Sequence, residues 1–209
     1  MTTTVNAARR PRAYRGQTPA ERARARRQRL IAAAIEVYGA LGYRQATVKA
    51  VCAAAGLTDR YFYAAFENSE AALAACFETV TEDVLAIVSS AAEAESGDSL
   101  ARGRAMLLAY FSVLRRERNQ AQVFLVEMVG ISDAIDLALE SMLARVGETI
   151  IETLDPHRRG PLAKDRLLVR GVASGLIGIA IAWIRGGYAE PIEAAADAAL
   201  KLCALAITE

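Results

Sequence analysis

Between Thr47 and Phe66 the signals for helix crowd into two very short segments parted by a single glycine. Thr47 starts a helix of about two turns, Gly56 breaks it, and Thr58 starts another that reaches about Ala64. Two short helices that cross steeply need a small residue where they touch and a glycine in the turn. They also need an apolar residue on the second helix that points back at the first. Cys52 supplies the small contact, Gly56 follows four residues on, and Phe62 stands six beyond that. Val48, Val51, Leu57 and Phe66 complete a miniature core. The second helix then exposes Thr58, Asp59, Arg60, Tyr61 and Tyr63, polar and aromatic groups suited to a major groove. The pattern predicts a helix-turn-helix.

The rest of the chain reads as helix too. Thr18-Pro19-Ala20-Glu21 is a complete helix start, with a cap, a proline at the first helical position and a glutamate that reaches back. That helix should run to about Leu41, with Leu30, Ile31, Ala34, Ile35, Tyr38 and Leu41 on one stripe and Gly42 ending it. From Ser69 onward Leu73, Phe77, Val80, Val84 and Ile87 recur at helical spacing. Met106, Leu107, Tyr110, Phe111 and Leu114 share a face of the next helix, and a shorter apolar helix covers about 119–130. Asp133 caps another, the loop Asp155–Pro161 ends it, and two helices follow at about 163–186 and 191–207. No segment alternates as a strand would. The expected fold is all-α, about nine helices: a flexible basic arm at 1–17, a three-helix DNA-binding module at 18–66, and a helical body at 67–209.

Charge divides along the same line. Residues 1–68 hold twelve Lys/Arg against four Asp/Glu, whereas residues 69–209 hold thirteen against twenty. A basic head on an acidic body predicts that the head meets a polyanion. Three cysteines, Cys52, Cys76 and Cys203, lie far apart in apolar surroundings and read as reduced, buried thiols of a cytoplasmic protein. The N-terminus lacks the apolar run of a signal peptide. The longest apolar run, Gly171 to Ile184, is 14 residues and too short to span a bilayer.

The stretch Gly42-Tyr43, Thr47-Val48, Val51-Cys52, Ala55-Gly56-Leu57-Thr58, Phe62-Tyr63, Phe66 and Asn68 resembles the signature of the TetR (tetracycline-repressor) regulators. The specific match covers about residues 18–77. Beyond it the likeness rests on helix count and lengths and on the Trp183, Gly186-Gly187, Pro191 ending. The resemblance implies that Thr47 and Tyr63 contact phosphate, that Thr58 caps the recognition helix and touches the backbone, and that Arg60 and Tyr61 reach base edges. Arg44 and Lys49 flank the same face. Two departures stand out. Ala65 occupies a place where the family usually has His or Tyr, and Ser69 one where it usually has Lys. Both usual residues bind phosphate, and the arginines of the arm and first helix are the expected compensation, each neutralised phosphate adding about −0.9 to the salt slope.

In the body, the resemblance implies a small-molecule pocket among helices four to seven and a two-fold dimer built from the last two helices. By residue type the pocket candidates are Phe77, Met106, Tyr110, Phe124, Met128 and Met142, with Tyr110, Glu127 and Asn119 as polar handles; the set points to a hydrophobic effector. Gly171, Ala173, Gly175 and Gly178 give one helix a small-residue face, and Gly171, Gly175, Gly178, Ile181, Leu200 and Leu205 are the interface candidates. Glycine in a helix costs about 1 kcal/mol against alanine, so these need a packing reason.

An enzyme has little to work with here. The one histidine, His157, lies in an Arg/Gly/Pro loop, and no phosphate-cradling glycine motif, nucleophile elbow or paired CxxC occurs. No cofactor, metal or membrane is expected. The reading is a homodimeric repressor released from a near-palindromic duplex operator by a small effector. Two alternatives keep the fold: an architectural DNA-binding protein without effector, and a ligand sensor that has lost specific DNA binding.

Overall fold

A computed structural model describes residues 18–128 and 131–207, and among them every regular element is helical. The arm at 1–17, with Arg9, Arg10, Arg12 and Arg15, lies outside the described residues. The elements are α1 (Pro19–Leu41), α2 (Val48–Ala55), α3 (Asp59–Ala65), α4 (Ser69–Ala94), α5 (Ser99–Arg116) and α6 (Arg118–Ala121). A π-helical segment (Gln122–Glu127), α7 (Asp133–Leu154), α8 (Pro161–Lys164), α9 (Arg166–Arg185) and α10 (Ile192–Ile207) complete them.

Local chemistry sets the early boundaries. Thr18 and Glu21 form a reciprocal capping box at the start of α1, the Glu21 carboxylate accepting from the Thr18 amide at 2.6 Å. That bond holds the Glu21 carboxyl below its ordinary range. Thr47 caps α2 by accepting from the Ala50 amide, and Asn68 caps α4 through the Ala71 amide. Gly56 ends α2 at φ 61°, a left-handed conformation that glycine enters without a Cβ penalty.

Later boundaries differ from expectation. The segment expected as one helix over 119–130 is a single turn of α followed by π-helix. The helix expected from 163 breaks at Asp165, whose carboxylate caps α9 at the Leu167 and Leu168 amides. Asp133 is the first residue of α7 rather than its cap, a place taken by Ser132 without a side-chain bond.

Two apolar cores hold the chain together. One joins α1, α2 and α3 to the first turns of α4, and it extends through Val123, Phe124, Met128, Ile135 and Met142. The other fills the body, where Phe111 and Trp183 meet edge to face with ring centroids 5.3 Å apart. The head core therefore does not close at residue 66. It continues into the body's helices.

Candidate nucleic-acid interface and effector cavity

The geometry of α2 and α3 follows from which side chains the head core takes in. Val51, Cys52 and Ala55 of α2 and Phe62 of α3 are buried, as is Phe66 just beyond. Within Thr58–Tyr63 only Phe62 turns inward; Thr58, Asp59, Arg60, Tyr61 and Tyr63 are exposed. Arg44, Thr47 and Lys49 are exposed as well, so all seven sequence candidates lie on the outside of the head. Tyr63 is the most open of the tyrosines here, at 60% exposure against 39% for Tyr61.

Several of these side chains already have partners. The Arg26 guanidinium of α1 lies 4.7 Å from the Tyr61 ring centroid, and Arg27 lies 5.1 Å from that of Phe66. Arg29 donates to the Ala55 carbonyl at 2.6 Å, setting a cation on the C-terminal end of α2. Arg29 thus braces the helix pair, a role its place in a run of arginines did not reveal. Asp59 faces the Cys52 thiol; burial and this neighbouring carboxylate push the thiol upward, so Asp59 is turned in part toward α2. Thr58 holds the cap position of α3 but its hydroxyl makes no capping bond, contrary to expectation. Its extended backbone conformation alone ends the turn.

The body encloses a cavity of about 370 Å³ walled by α4, α5, the π-helical segment, α7 and α9. Phe77, Met106, Tyr110, Phe124 and Met142 line it, five of the six candidates. Met128 does not: it is completely buried in the head core. Of the three polar handles only Tyr110 reaches the cavity. Glu127 approaches Gly42 at the base of α1, and Asn119 lies in an adjoining polar cleft with Arg115, Arg116 and Arg118. Phe77, Phe124 and Met142 belong to the cavity wall and to the head core at once. That double membership ties the two parts together.

The interface candidates divide. Gly171 and Gly178 are exposed, and a Cβ added at either would meet nothing within 4 Å. Leu205 is 77% exposed, and Ile181 is half-buried. Gly175 instead faces its own chain, where an added Cβ would come within 2.6 Å of Leu202 on α10. Leu200 likewise packs inward, against the body core. With Leu167, 81% exposed, the open residues Gly171, Ser174, Gly178 and Ala182 form one ridge along α9. This helix, Arg166–Arg185, is long and apolar enough by length and composition to cross a membrane, longer than the 14-residue run in the sequence suggested. One face of it packs against α7 and α10.

All three cysteines are free and buried, and burial pushes the Cys76 thiol up to about 12. Among the described residues no group of three or more His, Cys, Asp or Glu comes together as a metal would require.

No family model matches the sequence, and no curated protein matches it significantly. Solved structures do. The fatty acid degradation regulator FadR from Bacillus halodurans superposes with a TM-score of 0.70 at 20% identity, over 90% of this chain and 96% of that one. FadR from Bacillus subtilis, solved in complex with stearoyl-CoA, gives 0.66 at 21% identity over 87% and 99%. A TetR-like transcriptional regulator from Rhodococcus sp. RHA1 gives 0.60 at 20% over 93% and 96%. The chain has the TetR-regulator fold. Near-complete coverage of both partners means that the likeness takes in head and body together, well beyond the signature of the first three helices. In this chain α1 to α3 span Pro19–Ala65, and the cavity lies among the later helices.

Proposed function

We propose that this chain is a homodimeric, ligand-responsive transcriptional regulator of the TetR family, a repressor that leaves its operator when a small hydrophobic molecule fills the body cavity. One observation carries the reading: α3 turns Phe62 inward and the polar and aromatic residues on both sides of it outward. Arg60 suits the bidentate bond to guanine, Tyr61 a base edge, and Thr47, Tyr63, Arg44 and Lys49 the phosphates on either side. Thr47 keeps its hydroxyl proton for a phosphate even while its oxygen caps α2. The exposed ridge of α9, together with Leu205, fits a second copy packed closely across a two-fold axis. Two linked heads then read a near-palindromic site.

Coupling follows from shared side chains. A ligand that displaces Phe77, Phe124 or Met142 moves residues on which the head rests, so filling the cavity and docking the head compete for one arrangement. The acyl chain of the stearoyl-CoA held by the Bacillus subtilis neighbour supports an effector with a long apolar part here. No reaction is assigned to the protein, and the buried reduced thiols fit a cytoplasmic setting.

The experiment is selection from a random duplex library followed by binding of the enriched site at fixed salt. A specific regulator prefers that site to random duplex by well over tenfold, about 1.4 kcal/mol. Ala65 and Ser69, which lack the family's phosphate-binding side chains, favour one second reading, an architectural DNA-binding protein. A preference under about tenfold would support that reading instead.

A further inference from the structure

Arginines of α1 reach across to the helix pair, and each meets a different part of it. Arg29 donates to the carbonyl of the buried Ala55 at 2.6 Å, at the end of α2. Arg27 lies 5.1 Å from the ring centroid of the buried Phe66, just past the end of α3. Arg26, one turn before Arg29 on the same face of α1, lies 4.7 Å from the ring centroid of Tyr61. The first two act on groups that the head already encloses. The third acts on a side chain of the outer face.

The two outward tyrosines of α3 are held differently. Tyr63 meets Phe62 of its own helix edge to face, ring centroids 5.5 Å apart. Among the described residues Tyr61 makes no contact with another ring, and its face is met by Arg26 from α1. Tyr61 is the less open of the two, and Arg26 is itself half-buried, so this guanidinium lies along the surface of the head. A guanidinium over a tyrosine face is attracted by the ring's quadrupole, and more strongly once water is excluded, as docked DNA would do. A tyrosine left free in solvent samples several rotamers and gives them up when it meets a partner. Holding the ring beforehand removes that cost.

Building on the reading of the outer face of α3 as the DNA-reading surface, we propose that Arg26 is a positioning residue for Tyr61. It fixes the ring before DNA arrives and so sharpens the preference for the base that Tyr61 meets. In this way α1 takes part in the choice of sequence without touching a base.

The test begins on the full chain labelled with 3-fluorotyrosine, the Tyr61 fluorine resonance being assigned by its loss in Tyr61→Phe. Without DNA, Arg26→Gln shifts this resonance, and Arg26→Lys, which keeps a cation, shifts it less. Glutamine is close to arginine in helix propensity, so α1 survives the change. Binding is then measured on the site enriched from a random duplex library and on its single-base variants. Tyr61→Ala flattens the preference at one base position. Arg26→Gln weakens binding to the enriched site about threefold to tenfold, the loss expected when one side chain must be ordered on binding. On sites altered at that position, or when Tyr61 is already alanine, the same substitution costs less than about twofold. Arg26→Lys retains most of the preference.

An unmoved Tyr61 resonance in Arg26→Gln would overturn the clamp. Equal weakening of every sequence, with the salt slope reduced by about 0.9, would make Arg26 a phosphate contact instead and end its positioning role. A full set of base preferences retained by Tyr61→Ala would remove the reader that Arg26 is said to hold. Failure of the library to yield any preferred site would sink the DNA-reading surface itself, an outcome separable from the clamp because the fluorine resonance is recorded without DNA.

Discussion

Phe62→Ala should lower the stability of the folded chain by about 3–5 kcal/mol, the range for truncating a buried aromatic. Phe62 is 1% exposed and its ring lies 5.3 Å from that of Phe66, so the truncation leaves a void where α3 is held to the head. The neighbouring side chains cannot simply close that gap, because the same core reaches α4 and α7, which the body fixes from its other side. Urea unfolding followed by circular dichroism checks this, with a lowered midpoint and little change in slope. Phe62→Leu, which keeps most of the volume, should lose less than about 1.5 kcal/mol. Operator binding should fail in the alanine variant and survive in the leucine one. A loss under about 1 kcal/mol for Phe62→Ala would mean that α3 is not pinned by this residue, and its outward face would lose its physical basis.

Gly178→Arg should convert the proposed dimer to folded monomers. Within one chain the substitution meets open space, and replacing a helical glycine gains up to about 1 kcal/mol of helix propensity. Any harm must therefore come from a partner. Carrying a guanidinium into a close apolar contact leaves it desolvated and unpaired, a penalty of several kcal/mol. Sedimentation should report half the wild-type mass with unchanged helical content. Operator affinity should fall about a hundredfold or more as the second head ceases to bind intramolecularly. The contrasting variant is Gly175→Arg, whose side chain would collide with Leu202 of its own chain and destabilise the monomer itself. Unaltered mass and affinity in Gly178→Arg would remove α9 from the interface.

The head was legible because its determinants are local. A capping box, a threonine cap and a glycine at positive φ act within a few residues, so Thr18, Glu21, Thr47 and Gly56 announce themselves in the sequence. The features that escaped are set by packing over long sequence separations. Nothing in Gln122–Glu127 marks a π-helix; the segment packs against α1 and α9, and Phe124 belongs to both the cavity wall and the head core while Met128 belongs to the head core alone. Asp165 reads equally as a helix interior residue or a cap. The direction of each glycine on α9 was equally hidden: periodicity groups Gly171, Gly175 and Gly178 on one broad face, yet α10 passes over Gly175 and leaves the other two open. Arg29 shows the same limit, since a brace to Ala55 across 26 residues looks, in sequence, like one more arginine of a basic run.

DNA reading by this chain rests on what the outer face of α3 touches. Its most direct test compares selected-site base preferences of wild type, Arg60→Ala and Tyr63→Ala by binding to a panel of single-base operator variants. Arg60→Ala should flatten the preference at one base position, losing about 1–3 kcal/mol there, while Tyr63→Ala weakens every sequence alike. A wild-type profile retained in full by Arg60→Ala would contradict it.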